Sequence, residues 1–292
     1  MMKRTKQKKK PAAILTGDLH IREDTPVCRK DNFLQAQTGK LHRLSKLQEQ
    51  YDCLVLCSGD VFHHWKPSPS LISYALEYLP KNLYTVYGNH DLPQHNLGMA
   101  YKSGVYTLYL ANRIGILDEV HWGQEPQNGT FTIPGHEIEL LIWHIMTFKD
   151  ETPWPGCTDL PAKELLKRYP DYDLILTGHN HKPFVEQLKD QKLVNPGSIT
   201  RQKAGETHDP VVFLWYKEDN SVEPVYLSDQ PADNVITREH IEREEDKQKR
   251  FEELISKLNG PAEEVSFKAN LEKHFSRHKT PKSVQNFIWQ KY

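Results

Sequence analysis

The stretch Thr85–Asp91 reads TVYGNHD, and it determines how the rest of the chain is interpreted. An apolar run ends there in a glycine, which is followed directly by Asn89, His90 and Asp91. A turn alone would account for the Gly-Asn pair, since both residues favour tight turns. That explanation weakens if the same order of apolar run, glycine and polar side chain recurs elsewhere in the chain.

Four other short apolar runs end in a similar way. They are AAILTGDLH (residues 12–20), DCLVLCSGD (52–60), IELLIWH (138–144) and DLILTGHNH (173–181). Runs of this length that are rich in Val, Ile and Leu predict β-strands. The stretches 31–50 and 70–79 between them have helical patterns, and this alternation indicates an α/β (α+β) protein.

The polar residues that follow these runs are typical metal ligands. In α/β folds the carboxyl ends of the strands lie along one edge of the sheet, so we expect these residues to share one crevice. They are Asp18, His20, Asp60, Asn89, His90, His144, His179 and His181. Carboxylates, a carboxamide and imidazoles together suit Mn²⁺, Fe²⁺, Co²⁺ or Zn²⁺ better than Ca²⁺. The set is too large for one small ion and suffices for two, a pair that can clamp a phosphoryl group and activate water.

The segments GDLH, SGD, GNHD, WH and GHNH, in this order, resemble the signature of the calcineurin-like metallophosphoesterase superfamily. The resemblance implies two packed mixed β-sheets flanked by helices, here followed by a small helical C-terminal appendage. It implies a ligand set of Asp18, His20 and His181 for one ion, of Asn89, His144 and His179 for the other, and of Asp60 as the bridge between them.

The same resemblance assigns roles beside the metals. It implies that His90 is not a ligand and protonates the leaving oxygen as a general acid. It implies that Asp91 orients His90 by accepting the other ring N–H. Mn²⁺ is the activating metal that the resemblance favours, with Fe, Co and Zn as alternatives.

A finer resemblance is to the SbcD-like nuclease subunit of the double-strand-break repair complex. It is carried by GDVFHHWKPSPS (residues 59–70), GNHDLP (88–93) and VNPGSITR (194–201). In that group the histidine three residues after the bridging Asp assists catalysis on DNA, and His63 occupies that position. The implied substrate is DNA, and exonuclease and endonuclease activity both fit the chemistry. Arg201, directly after the PGS turn, is a candidate phosphate contact.

The C-terminus departs from the SbcD-like pattern. Only about 65 residues follow Leu227, which is short for a full DNA-facing cap and a segment that docks an ABC-type coiled-coil ATPase. This length suggests a compact, phage-type or stand-alone member, and it leaves an ATPase partner and a homodimer open. Residues 238–258 have the pattern of an amphipathic helix, which either packs on the core or docks a partner.

Composition and charge limit the possible domain organisation and location of the protein. The net charge is −1, although the first ten residues carry six Lys or Arg without the apolar segment of a secretory signal. We predict a disordered basic arm over 1–11, a catalytic domain over 12–230 and a mostly helical region over 231–292. Four cysteines without a C-x-x-C pair, and no apolar run near 18 residues, predict a cytoplasmic protein without disulfides or membrane spans.

Two other functions remain as alternatives to a nuclease. A phosphatase or small-molecule phosphodiesterase would use the same core motifs, so the motifs alone do not separate it from a nuclease. A non-catalytic scaffold on the same fold is the third hypothesis. Scaffolds of this kind have usually lost metal ligands, whereas every ligand position is filled here.

Overall fold

The protein is built on two β-sheets, as a computed structural model of the chain shows. The structure describes residues 9–117, 120–126, 140–228, 230–258 and 267–291. Within these ranges the strands are β1 (Ala13–Thr16), β2 (Leu54–Cys57), β3 (Leu83–Thr85), β4 (Gly115–Ile116), β5 (Leu141–Trp143), β6 (Leu174–Thr177), β7 (Phe184–Leu188), β8 (Gln191–Asn195), β9 (Val211–Tyr216) and β10 (Ser221–Tyr226).

Eight α-helices accompany these strands in the described ranges. They are α1 (Phe33–Tyr51), α2 (Pro69–Tyr78), α3 (Gly104–Leu110), α4 (Ala162–Arg168), α5 (Ala232–Val235), α6 (Glu239–Leu258), α7 (Phe267–Arg277) and α8 (Lys282–Lys291). Short 3₁₀ segments cover Pro93–His95 and Leu97–Lys102. Both helical patterns predicted between the first strands, over 31–50 and 70–79, are confirmed as α1 and α2.

Both sheets are mixed. The larger has the strand order β10-β9-β1-β2-β3-β4, in which β1 to β4 are parallel and β9 is antiparallel to β1 and β10. The smaller has the order β5-β6-β8-β7, with β7 as its antiparallel member. This architecture confirms the predicted fold of two mixed sheets flanked by helices.

The central strands are buried on both faces, which explains why they are continuous apolar runs rather than alternating ones. On one face of β1, Ile14 packs in a cluster with Leu41 and Leu44 of α1. On its other face, Leu15 shares a second cluster with Ile142 of β5, so this cluster lies between the two sheets. A third cluster joins the outer face of the smaller sheet to α4. The layers are therefore helix, sheet, sheet and helix.

Local signals in the sequence set the ends of the first two helices. The side chain of Asn32 accepts a hydrogen bond from the backbone N–H of Gln35 and caps α1. Ser68 caps α2 in the same way, and Pro69 occupies the first helical position, where its missing N–H costs nothing. These caps fix where each helix begins after the loop that follows the preceding strand.

The chain divides into two units, Met1–Thr237 and Arg238–Tyr292. The predicted amphipathic helix over 238–258 corresponds to α6, and Phe251 on it is exposed. In the second unit Phe275 is buried, and its ring meets that of Trp289 edge-on at 5.8 Å. Of the predicted basic arm, residues 1–8 lie outside the described residues, and Pro11 is already buried. Within the described part of the chain, no helix combines the length and hydrophobicity that a bilayer crossing requires.

Candidate metal centre

Five strand ends supply the polar side chains of the site. The chain leaves β1, β2 and β3 through Asp18, Asp60 and Asn89, and it leaves β5 and β6 through His144 and His179. The first three strands belong to the larger sheet and the last two to the smaller one. The sequence predicted one sheet edge, whereas the structure brings together the carboxyl ends of parallel strands from both sheets.

The backbone at this edge is unusually strained. Asp18, His20, Asp60 and His179 all have left-handed φ values, of 47°, 43°, 53° and 72°. This region is uncommon for residues other than glycine, and each such residue costs on the order of 1–3 kcal/mol. Strain of this kind concentrates at functional sites, where the surrounding structure stabilises it. Here it turns each side chain sharply at the end of its strand.

The first donor cluster contains Asp18, His20 and His181. Their potential ligand atoms all lie within 4.8 Å of one another. Nε2 of His20 lies 3.0 Å from Nε2 of His181 and 3.9 Å from Oδ1 of Asp18. Asp18 and His20 are almost fully buried, so these donors are shielded from bulk water.

The second donor cluster contains Asp60, His144 and His179, whose potential ligand atoms also lie within 4.8 Å of one another. Asn89 joins them, because its Oδ1 lies 3.0 Å from Nε2 of His144 and 2.9 Å from Nδ1 of His179. On its other side, Nδ1 of His144 lies 2.7 Å from the carbonyl oxygen of Ser58. One carboxamide oxygen therefore faces two imidazoles, one from each of two strands.

Asp60 connects the two clusters. Its Oδ2 lies 3.5 Å from Nε2 of His20 in the first cluster and 3.4 Å from Nε2 of His144 in the second. Its Oδ1 accepts a hydrogen bond of 2.9 Å from the backbone N–H of His90. The carboxylate is 1% exposed, so its charge acts on both clusters with little screening by solvent. This is the position that a bridging ligand requires.

The charges of these buried groups depend on one another. Burial by itself lowers the pKa of His144, but the charge of Asp60 and a hydrogen bond to it outweigh this and raise the pKa to about 9. Burial raises the pKa of Asp60, yet His144 holds it well below its usual range. Burial lowers the pKa of His179 to about 4 and that of His20 well below its usual value. Neutral imidazole is the form that binds metals, and His20 and His179 are in that form at neutral pH.

The residues present fit a pair of divalent cations. Among the described residues, Oδ2 of Asp18 is buried without any hydrogen-bond partner. Nε2 of His20 and Nε2 of His181 face each other, and at most one of them donates in that contact. Buried polar atoms without partners are costly, and a cation bound among these acceptors would remove the cost. Oxygen and imidazole donors together suit a divalent transition metal.

The two histidines predicted for catalysis, His63 and His90, form a third donor group with His20, since their potential ligand atoms also lie within 4.8 Å of one another. Nδ1 of His90 lies 2.7 Å from the carbonyl oxygen of His63, and the two rings are 5.2 Å apart. The rings of His63 and His90 lie 5.5 Å and 4.8 Å from the ring of His20. Both residues are partly exposed, unlike the buried donors. Because a carbonyl only accepts, His90 carries a proton on Nδ1, and its Nε2 is left for another partner.

The predicted role of Asp91 is wrong. Its fully buried carboxylate accepts hydrogen bonds from the backbone N–H groups of Val61, Phe62 and Gly88. It therefore ties the loop after β3 to the loop after β2, and the carbonyl of His63 takes the place that Asp91 was expected to occupy beside His90. Adjacent residues point in different directions at a strand end, so proximity in sequence was a poor guide.

Arg201 also differs from its prediction. It is 1% exposed, and its guanidinium donates to the carbonyl oxygens of His208 and Gln230 and to the carboxylate of Asp209. All of these partners lie in the protein, so Arg201 ties together the loops after β8 and β10 and does not face a substrate phosphate.

Sequence reasoning missed two residues that touch the site. The ring of Trp122 lies 4.9 Å from that of His179 and 5.9 Å from that of His144, so it forms a wall of the second cluster. The carboxylate of Glu206 lies 2.6 Å from Nδ1 of His181. Neither residue belongs to a strand-end motif, and each reaches the site from a loop whose course depends on tertiary contacts.

Comparison with protein families identifies the fold and its chemistry. The model of the calcineurin-like phosphoesterase superfamily domain matches residues 12–219. The chain belongs to the calcineurin-like phosphoesterase superfamily. Phosphoesterases of this superfamily are metal-dependent and use a pair of divalent metal ions. Among curated protein sequences, none matches this phosphoesterase.

Solved structures similar to this phosphoesterase share low sequence identity with it. An archaeal phosphodiesterase is 15% identical, with 73% of this chain and 98% of that chain covered and a TM-score of 0.42. Vacuolar protein sorting 29 of Cryptosporidium parvum is 20% identical, with 73% and 94% covered and a TM-score of 0.34. Likeness at this level does not bear on activity or substrate.

Gly88 illustrates how tightly the phosphoesterase site is packed. A Cβ at this position would lie 2.1 Å from Oδ1 of Asp60 and 2.5 Å from its backbone nitrogen. We therefore expect Gly88→Ala to lower the free energy of unfolding by about 1–3 kcal/mol through overpacking. Urea denaturation of the protein in EDTA would measure it. The control is Gly39→Ala in the exposed middle of α1, where a Cβ meets nothing within 4 Å. It should stabilise by roughly 0.5–1 kcal/mol, and equal stability of the two variants would contradict the packing argument.

Proposed function

We propose that this protein is a two-metal phosphodiesterase that hydrolyses DNA, as an exonuclease, an endonuclease or both. The observation that supports a two-metal phosphoesterase most directly is the position of Asp60, whose carboxylate lies within 3.5 Å of an imidazole in each donor cluster. The proposed ligands are those of the first cluster for one ion, and Asn89, His144 and His179 for the other, with Asp60 shared. When bound, a pair of divalent ions polarises the phosphoryl oxygens and supplies water of lowered pKa.

One residue of the chain, His90, is placed to protonate the oxygen that leaves the phosphorus. Because the carbonyl of His63 accepts from Nδ1 of His90, the ring is held in one orientation with Nε2 free. A proton on Nε2 can pass to the oxygen that leaves the phosphorus, which then departs as a neutral alcohol. The partial exposure of His90, beside the buried donors, lets a substrate oxygen reach it. His90 is thus the proposed general acid.

His63 supports the choice of DNA over a small phosphate ester. The segment GDVFHHW that carries the resemblance to SbcD-like nucleases places His63 three residues after Asp60. Its side chain is partly exposed beside His90, and it lines a cavity of about 210 Å³ whose charged side chains are Arg22, Glu23, Asp24 and Lys66. Because Arg22 is paired with Asp24, the support for DNA is the SbcD-like segment itself and the place of His63 beside His90. We propose that His63 contacts the phosphate or the leaving strand.

An assay on end-labelled DNA tests this function. The purified protein, stripped with EDTA, is incubated with single- and double-stranded DNA before and after addition of MnCl₂. Two small substrates are assayed in parallel: p-nitrophenyl phosphate, a monoester, and bis(p-nitrophenyl) phosphate, a diester. We expect DNA cleavage only with the metal, and product lengths would reveal polarity. Faster turnover of the monoester than of DNA would overturn the proposal in favour of a phosphatase.

A further inference from the structure

Glu206 makes a contact with the first donor cluster that the proposed mechanism has not used. Its Oε1 lies 2.6 Å from Nδ1 of His181, and the side chain is 9% exposed. Its Oε2 accepts from the backbone N–H groups of Gln202 and Lys203 in the same loop. One oxygen is therefore fixed by the loop and the other by the imidazole, so the carboxylate has little freedom to turn away.

This contact determines which nitrogen of His181 faces the cluster. A carboxylate only accepts, so Nδ1 of His181 carries a proton, and Nε2 is the nitrogen that can offer a lone pair to a metal ion. It is Nε2 that lies 3.0 Å from Nε2 of His20, inside the cluster. The loop is tied to the same cluster a second time, because the amide of Gln202 donates to the carbonyl oxygen of His20 at 3.4 Å. Glu206 thus orients a ligand without lying in the ligand shell.

The second donor cluster is supported differently. Nδ1 of His144, on the side away from the cluster, faces the neutral carbonyl of Ser58, whereas His179 meets the cluster itself through Nδ1, 2.9 Å from Oδ1 of the proposed ligand Asn89. Among the described residues, Asp60 is the one carboxylate paired with an imidazole of that cluster. The first cluster has Asp18 and Glu206 in addition to its share of Asp60. It therefore carries more negative charge and should bind a cation more tightly.

We propose that Glu206 is a positioning residue that makes the Asp18–His20–His181 site the tighter of the two metal sites. A carboxylate behind a metal-binding imidazole fixes its tautomer and raises its basicity, and loss of such a partner costs 10- to 100-fold in metal affinity. The inference rests on the metal pair of the proposed function and not on DNA as the substrate.

Calorimetric titration of the full-length, EDTA-stripped protein with MnCl₂ alone tests it. The wild type should show two classes of site. Glu206→Gln keeps the size of the side chain and an oxygen for the backbone N–H groups, but it removes the charge. We expect it to weaken the tight class about 10- to 100-fold and leave the weak class nearly unchanged. Glu206→Asp, which keeps the charge one methylene farther back, should give an intermediate loss.

The matched control is Asp209→Asn. Asp209 lies in the same loop and holds Arg201, but it touches none of the proposed ligands. The Asp209→Asn variant should give the same MnCl₂ isotherm as the wild type. A wild-type isotherm for Glu206→Gln, equal weakening of both classes, or a single class in the wild type would each overturn the proposal. If Glu206→Gln fails to fold by circular dichroism, an unchanged isotherm for Glu206→Asp overturns it instead. No phosphate ester is present, so the outcome is independent of the nuclease assay.

Discussion

Replacement of Asp60 by asparagine should lower kcat/KM for metal-dependent DNA hydrolysis by at least about 10³-fold. The carboxylate lies between the two donor clusters, with Oδ2 3.5 Å from Nε2 of His20 and 3.4 Å from Nε2 of His144. Asparagine puts a neutral amide there, which can offer one oxygen but no shared negative charge. Loss of metal-ion stabilisation is worth several kcal/mol, and each 1.36 kcal/mol is about a factor of ten in rate.

Asparagine is chosen because it should change metal binding and catalysis without preventing the protein from folding. Oδ1 of Asp60 accepts from the backbone N–H of His90, and the amide oxygen of asparagine can accept the same bond. Calorimetry with MnCl₂ should therefore show fewer than two bound ions in a protein that still unfolds cooperatively. Asp209→Asn serves again as the control, with wild-type rate and two ions. An Asp60→Asn variant that binds two ions and keeps a tenth of the activity would refute the bridging role. The same variant would also expose any contaminating nuclease in the DNA assay.

The architecture could be predicted from the sequence because the signals for its strands and helices are local. Each central strand is a short apolar run that ends in glycine or in a polar residue, and each early helix has a capping side chain, such as Asn32 or Ser68. What the runs could not reveal is which sheet each strand joins. Burial on both faces makes β1 and β6 look alike in sequence, although they lie in different sheets. The shared edge of two sheets therefore emerged only in three dimensions.

The same distinction between local signals and tertiary contacts applies to the residues of the candidate site. Residues directly after a strand, such as Asp18, Asn89 and His179, were found because the end of the strand fixes where they lie. Residues whose position depends on a loop were missed or misjudged. Glu206 reaches His181 from 25 residues farther along the chain, through a loop held by its own backbone contacts. Asp91 sits beside His90 in sequence but is turned inward by three backbone N–H groups.

Replacement of His90 by asparagine should lower kcat on DNA by about 10²- to 10⁴-fold while both metal ions stay bound, the range expected for the loss of a general acid. His90 is not one of the proposed ligands, although it shares a third donor group with His20 and His63, and its ring is held by the carbonyl of His63. Its removal therefore takes away a proton donor and leaves the proposed ligands in place. Calorimetry with MnCl₂ and single-turnover kinetics on a labelled duplex would measure the two effects separately. The control is His42→Asn, since His42 is exposed on α1 and belongs to none of the three donor groups found among the described residues.

The identity of the leaving group distinguishes an acid from a residue that merely holds the substrate. A deoxyribose oxygen leaves as a strongly basic alkoxide unless it is protonated, whereas p-nitrophenolate is a weak base that leaves without help. The defect of His90→Asn should therefore be large on DNA and shrink to a few-fold on bis(p-nitrophenyl) phosphate. An equal defect on both substrates would mean that His90 binds the phosphate and does not protonate the departing oxygen. A loss of metal binding in the same variant would place His90 among the ligands, contrary to the ligand set proposed above.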